Sequence, residues 1–257
     1  MATEEKLFRN RARADSFGSV AEQYDRFRPS YPDALIDALV ALGPAKVLDV
    51  GCGTGKATRL LAARGLDILG VELDARMAAV ARDHGLSVEV GSFEEWDDAG
   101  RTFDLITSAQ AWHWVDPERA VPKAARLLRA GGHIAIFWNH DQMRDPMPAI
   151  IDAVWREHAP ELLTSAVTGK GAQAYERYAK PFDASGLFEP MRLLEFASER
   201  RSMAADWVAE IATHSNVLQV EPERRERMFD AFVAAIDAIG GSVTSDVGTY
   251  LFVARRV

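Results

Sequence analysis

An α/β fold, a doubly wound and mostly parallel seven-strand sheet, is what this sequence predicts, and three features predict it. A short apolar run over residues 46–50 leads into glycines at alternate positions, Gly51, Gly53 and Gly55, and a helical pattern follows with Ala57, Leu60, Leu61 and Ala62. Apolar runs of strand length then alternate with amphipathic segments of helix length as far as residue 138, and such alternation implies parallel pairing through crossover helices. Hydrophobic residues make up 48% of the 257 positions, enough to bury a substantial core.

The first run has the length and branching of a buried parallel strand. Glycines after it permit a sharp turn and a close approach by a ligand. The helix that follows directs unpaired N–H groups at whatever the turn holds. Strand, turn and helix together form the nucleotide corner of an open α/β sheet.

Upstream, residues 17–27 read as a short amphipathic helix with Phe17, Val20, Ala21 and Tyr24 on one side. It ends before Arg28-Pro29-Ser30-Tyr31-Pro32, where two prolines force extended geometry. A second helix starts at Ser30 or Asp33, carries Leu35, Ile36, Leu39 and Val40, and stops at Gly43-Pro44. Beyond the glycine turn, a second strand is expected over 66–73 and a helix over 74–84, with Met77, Val80 and Ala81 inward and Gly85 as C-cap. A third strand is expected over 86–90 and a fourth over 103–109. Asp116-Pro117 starts another helix, and a fifth strand covers 133–138. Past Asn139 the rhythm changes. A helix is expected over 147–158, a small polar lid-like loop over 164–178 and a sixth strand over 191–196. Helices over 204–214 and 221–239 and a final strand over 248–254 complete the reading.

Composition excludes several function classes. The net charge of −8 argues against nucleic acid as the main partner, and the arginine runs at 9–13 and 224–227 read as solvated faces. Cys52 is the single cysteine, which leaves no internal disulfide and no multi-cysteine zinc site. Residues 1–13 are charged and lack the apolar segment of a signal peptide. No apolar run approaches the ~18 residues of a membrane span, so no membrane partner is expected and the expected location is cytoplasmic.

Three nucleotide readings compete for the glycine turn. A phosphate-binding loop needs Lys-Ser/Thr after its last glycine, and Gly55-Lys56-Ala57 lacks the hydroxyl. A dinucleotide fold wants G-x-G-x-x-G, and here the pattern is G-x-G-x-G followed by Lys56. The third is an acid two positions before G-x-G-x-G at a strand end. Val47-Leu48-Asp49-Val50-Gly51-Cys52-Gly53-Thr54-Gly55 carries it, and so resembles the first motif of the class I S-adenosylmethionine-dependent methyltransferases. Glu72 closes the second strand about 20 residues beyond Gly51, where such folds set a carboxylate on ribose hydroxyls. Gly91-Ser92-Phe93-Glu94, Phe103-Asp104-Leu105-Ile106-Thr107-Ser108-Ala109-Gln110 and Leu127-Leu128-Arg129-Ala130-Gly131-Gly132 resemble later motifs of that family in order. Val20-Ala21-Glu22-Gln23-Tyr24-Asp25-Arg26-Phe27-Arg28-Pro29 resembles the N-terminal lid of its small-molecule, trans-aconitate-methyltransferase-like branch.

The resemblance implies a Rossmann-like sheet with an antiparallel last strand, an N-terminal helical lid and a helical cap from the C-terminal half. In one methyltransferase domain, residues 1–43 would form the lid, 44–139 the cofactor core, 140–190 and 203–240 an acceptor-side cap, and 191–202 and 246–257 the closing strands. It implies S-adenosyl-L-methionine as cofactor, S-adenosyl-L-homocysteine as product and a small-molecule acceptor, methylated on a carboxylate or hydroxyl oxygen. Cofactor contacts fall on Tyr24, Arg28, Asp49, Gly51, Cys52, Gly53, Gly55, Glu72, Leu73, Ser92, Phe93, Glu94 and Gln110. Arg28 either meets the methionine carboxylate or caps its helix. Met77 is expected in the core. Methyl transfer from a sulfonium needs no protein nucleophile or metal, only alignment and exclusion of water. A hydroxyl acceptor would benefit from a base, for which His113 is the candidate. Trp112, Trp114 and His140 are candidate acceptor contacts, the tryptophans either walling an apolar pocket or covering the sheet end. The absence of an Asn-Pro-Pro-Tyr-type segment after the fourth strand weighs against methylation of nucleic-acid bases. The alternatives are a nicotinamide-dependent oxidoreductase and a non-catalytic S-adenosylmethionine-binding protein.

Overall fold

The structure, a computed structural model, describes residue 8 and residues 16–164 and 175–257. Its strands are β1 (Lys46–Val50), β2 (Asp67–Glu72), β3 (Ser87–Val90), β4 (Phe103–Ala109), β5 (Leu128–Met143), β6 (Arg192–Met203) and β7 (Ser242–Arg255). They form one seven-stranded sheet in the order β3-β2-β1-β4-β5-β7-β6. The first five strands run parallel, and β7 enters antiparallel between β5 and β6.

Alternation along each strand builds two core layers, because successive side chains leave opposite faces. Val47, Leu105, Phe137 and Leu251 pack on one face under Leu35, Ile36 and Leu39 of α2 (Asp33–Val40) and under Ala57 and Leu61 of α3 (Lys56–Ala62). Leu48, Ile106, Ile136 and Phe252 pack on the other under Val121 and Ala124 of α5 (Pro117–Leu127) and Phe182 of α7 (Lys180–Ser185). Between them in chain order, α4 (Ala75–Asp83) covers the β2–β3 edge with Ala78 and Ala81 against Val88 and Cys52. A further cluster lies mostly beyond the sheet, touching it through Val243 of β7. There α6 (Met147–His158), α8 (Ala204–Ile211) and α9 (Pro222–Ala238) bury Met147, Val154, Trp207 and Phe232 together.

The N-terminal stretch predicted as one helix divides into a tight turn, Phe17–Val20, and α1 (Ala21–Phe27). Three strands exceed their predicted lengths. β5 continues through Met143 because β7 pairs with it as far as Met143↔Ser245. β6 and β7 extend through Met203↔Ser242 although residues 198–202 are polar, since backbone pairing rather than apolar patterning carries those arms. The strand therefore enters the stretch expected to begin the cap at residue 140. α7 was not predicted. Of the lid-like loop expected over 164–178, residues 165–174 lie outside the described residues, and Tyr175–Ala179 forms a wide helical turn. The arginine run at 9–13 also lies outside them. The run at 224–227 is only partly a solvated face: Arg224 donates to the His158 carbonyl at 2.7 Å and Arg225 to that of Leu218 at 3.3 Å. No described helix is long and apolar enough to cross a membrane.

Candidate cofactor and acceptor site

β1 ends at the glycine turn, and the turn is shaped from below by Asp49. That residue is wholly buried, with one carboxylate oxygen accepting from Thr58 Oγ1 (2.6 Å) and the other from Thr107 Oγ1 (2.8 Å). Asp49 thus ties β1 to α3 and β4 beneath the turn, and burial lifts its pKa to about 6. Above it Gly51 has φ +67°, and a Cβ there would lie 2.5 Å from the Ala111 Cβ. Gly55, at φ +84°, caps α3, and a Cβ there would meet Leu86 at 2.3 Å. Only glycine meets both the conformation and the space at these two positions.

Glu72, at the end of β2, braces the turn from the β2 side. Its carboxylate accepts from the Gly53 amide (2.8 Å) and the Asp74 amide (2.9 Å), with the Leu73 amide a further donor to it. Burial outweighs those amides and raises its pKa. Leu73 lies half-buried between Glu72 and Asp74, the N-cap of α4. Glu72 pairs in register with Val90, and its carbonyl accepts from Gly91, which brings the 91–94 turn to the same sheet end. Within that turn the Ser92 carbonyl accepts from Trp96 at 2.8 Å, and Glu94 accepts the Asp116 amide at 2.8 Å, fastening the entry to α5. Phe93 turns into the core beside Trp112.

The N-terminal segment lies across this corner. Asp25 of α1 accepts from Arg59 (2.8 Å) and shares a hydrogen bond with His84 (2.9 Å), while Lys56 Nζ donates to the Asp25 carbonyl at 2.6 Å. Gly18 sits so close to α4 that a Cβ would fall 2.1 Å from the Asp74 carboxylate. Phe17 meets Tyr24 and Trp114 edge to face, at 5.9 and 5.8 Å between ring centroids. Between lid and turn lies an open cavity. Tyr24, Arg28, Gly51, Cys52, Gly53 and Gln110 of the expected cofactor residues line it together. Burial pushes the Cys52 thiol well up and raises the Tyr24 and Tyr31 hydroxyls, so all three remain protonated. Gln110 adopts φ +58°, unusual for a residue other than glycine, and donates to the Asn139 carbonyl at 3.4 Å.

The other expected residues separate. Trp112 is 3% exposed, between Phe93 and Phe182 in the core. Trp114 stands at the lid, against Phe17 and His113. The indole N–H of Trp138 donates to His113 Nδ1 at 3.3 Å, which leaves the ring hydrogen of a neutral imidazole on Nε2. His140 lies farther along β5, opposite Gly248. Met77 is buried, as expected.

Sequence reasoning missed Pro29, Tyr31, Thr54, Lys56, Ala57 and Ala109 among the lining residues. Tyr31 stood in the proline-flanked motif and could have been read there. It also missed a polar group on the cap side. Arg200 of β6 bridges Asp141 of β5 and Glu210 of α8. Beside it His214 is kept neutral, its pKa held well below the ordinary range by burial and by Arg28 and Arg200. No local pattern announces this cluster.

A family described as a methyltransferase domain matches residues 48–136. Over 129 residues the chain is 45% identical to an uncharacterized methyltransferase of Mycobacterium tuberculosis, an overlap of 48% of this chain and 52% of that one. It therefore spans about half the length of such curated relatives. It is 32% identical over 189 residues to a malonyl-[acyl-carrier protein] O-methyltransferase of Enterobacter lignolyticus, covering 66% of this chain and 72% of that protein. Among solved structures, a candidate type II methyltransferase from Anaeromyxobacter dehalogenans superposes with a TM-score of 0.63 at 21% identity, covering 89% of this chain and 98% of that one. That likeness concerns the fold.

Proposed function

The chain belongs to the S-adenosylmethionine-dependent methyltransferases, and from that premise we propose that it methylates an oxygen, carboxylate or hydroxyl, of a small-molecule acceptor. The observation that carries the reading is the cavity between the glycine turn and the lid. Glycine backbone lines its floor, and Arg28 and two neutral tyrosines stand on the lid side, while Glu72, outside the lining, accepts the Gly53 amide from the β2 side. That donor and acceptor set fits a nucleoside bearing a charged amino-acid tail. When bound, S-adenosylmethionine supplies a methyl group already activated by its sulfonium, and S-adenosylhomocysteine is the product.

The chain's residues then have to bind, align and exclude water. Gly51, Gly53 and Gly55 give close backbone approach, Glu72 takes the ribose hydroxyls, Arg28 takes the carboxylate, and the 91–94 turn borders the adenine. Asp49 acts from beneath by fixing the turn. The lid, latched through Asp25, shuts the corner against solvent. On the acceptor side, Trp114 and His140 are the contacts assigned here, while Trp112 supports from the core. His113, whose Nδ1 already accepts from Trp138, would accept a proton from a hydroxyl acceptor only after exchanging that bond. A carboxylate acceptor arrives as an anion and needs no base. The O-methyltransferase relative supports oxygen over nitrogen.

The test is transfer of labelled methyl from S-adenosylmethionine to a panel of carboxylic acids, phenols and amines. Label on carboxylate or phenolic oxygen is expected. Label confined to amines would overturn the oxygen assignment, and saturable cofactor binding with no turnover on a broad panel would favour a binding protein instead.

A further inference from the structure

We infer that Thr213 is a positioning residue, through which the cap side of the molecule holds the Arg28 guanidinium at the cofactor cavity. The inference rests on the proposed role of Arg28 as the contact to the cofactor's carboxylate.

Arg28 caps the C-terminal end of α1. Pro29 keeps its backbone extended, at φ −64° and ψ 141°, and its amide donates to the Tyr24 carbonyl at 3.1 Å. The backbone therefore places the side chain but does not aim it. Two contacts do so. The guanidinium carbon lies 5.1 Å from the centre of the Tyr24 ring. Nε donates to Thr213 Oγ1 at 2.7 Å, and Nη2 donates to the Thr213 carbonyl at 3.2 Å. Because a guanidinium is a rigid planar fork, fixing two nitrogens fixes the third. Nη1 is then the nitrogen left for a ligand.

Thr213 is itself held. It is fully buried, and its hydroxyl donates to the Glu210 carbonyl at 2.6 Å, so its remaining lone-pair region is what it offers Arg28. Glu210 is anchored by Arg200, and Arg200 by Asp141 on β5. A continuous set of polar contacts thus runs from the sheet through β6 and α8 to a residue of the lid 185 positions away in sequence. A shift of the α8 end would move Arg28 with it.

The experiment measures S-adenosylhomocysteine affinity by calorimetry for wild type, Thr213→Val, Thr213→Ser, Arg28→Ala and the Arg28→Ala/Thr213→Val double variant, with melting temperature and with KM and kcat recorded alongside. Thr213→Val keeps shape and removes the hydroxyl. It should weaken binding roughly tenfold, the size of one hydrogen bond to a charged group, and raise KM for the cofactor more than it lowers kcat. Thr213→Ser should restore wild-type affinity. The double variant should bind no more weakly than Arg28→Ala alone, because both changes remove the same contact. Weakening by Arg28→Ala but none by Thr213→Val would overturn the inference and leave the reading of Arg28 intact. Unchanged affinity in Arg28→Ala would overturn both. Should Thr213→Val not fold, Arg28→Lys replaces it, keeping the charge but not the paired bonds; wild-type affinity there would equally overturn the inference.

Discussion

Asp49 accepts one hydroxyl from Thr58 and one from Thr107, and burial lifts its pKa to about 6. The unfolded chain releases that proton near pH 4. Between those values the folded state binds more protons, so stability falls as pH rises through the window. The group's contribution is fully present below about pH 4 and is lost by about pH 6, on the order of 3 kcal/mol. Asp49→Asn removes the titration, so its melting temperature relative to wild type should improve as pH rises from 4 to 6. A constant gap across that range would show that Asp49 titrates normally. Glu72 holds a different post, since its oxygens keep the Gly53 and Asp74 amides in place beside the turn. Glu72→Ala should weaken S-adenosylhomocysteine binding by about 1–3 kcal/mol, measured by calorimetry. Unchanged affinity would show that no ribose meets this carboxylate.

At the scale of elements, the glycine turn and the lid are built differently. The turn is steric: at Gly51, φ +67° and the Ala111 methyl both oppose a side chain. Gly51→Ala should lower the melting temperature and cofactor affinity together, because the strain sits at the turn proposed to hold the cofactor. The lid is polar. α1 is held by Asp25 to Arg59, Lys56 and His84, and these groups are partly exposed, where such pairs contribute under about 1 kcal/mol. Asp25→Ala should therefore change global stability little while speeding S-adenosylhomocysteine release several-fold in stopped-flow measurements. A large loss of stability with unchanged release would assign Asp25 to the scaffold instead.

Over the whole molecule, the cap has its own apolar cluster, separate from the layers on the sheet. Phe232 is fully buried there, edge to face with Trp207 at 5.1 Å. Phe232→Ala should cost the cluster about 3–5 kcal/mol. Hydrogen exchange should then quicken in α6, α8 and α9 while β1 and β4 keep their protection, since foldons open separately. Uniform loss across the sheet would show that cap and core unfold as one unit. Polar bridges such as Asp141–Arg200–Glu210 and Arg28–Thr213 join the two parts. Cap and lid thus communicate through hydrogen bonds across parts that are stabilised by separate apolar clusters.

The α/β order, the glycine turn and the strands around it were legible in the residues alone. β4 at 103–109 and α6 at 147–158 fall on their predicted limits. Local chemistry suffices there: each parallel strand carries a short cluster of branched apolar residues, Asp116-Pro117 is a helix start in any setting, and an acid before alternating glycines has few uses. Tertiary structure alone decided the rest. It drew polar residues 198–202 into a strand by offering them a partner. It buried Trp112 while leaving its neighbour Trp114 at the lid, and it gave the Trp138 hydrogen to His113. It also set Thr213 on Arg28. Strand pairing, burial and a hydrogen bond spanning 185 residues depend on where other parts of the chain come to rest, and no local pattern encodes that.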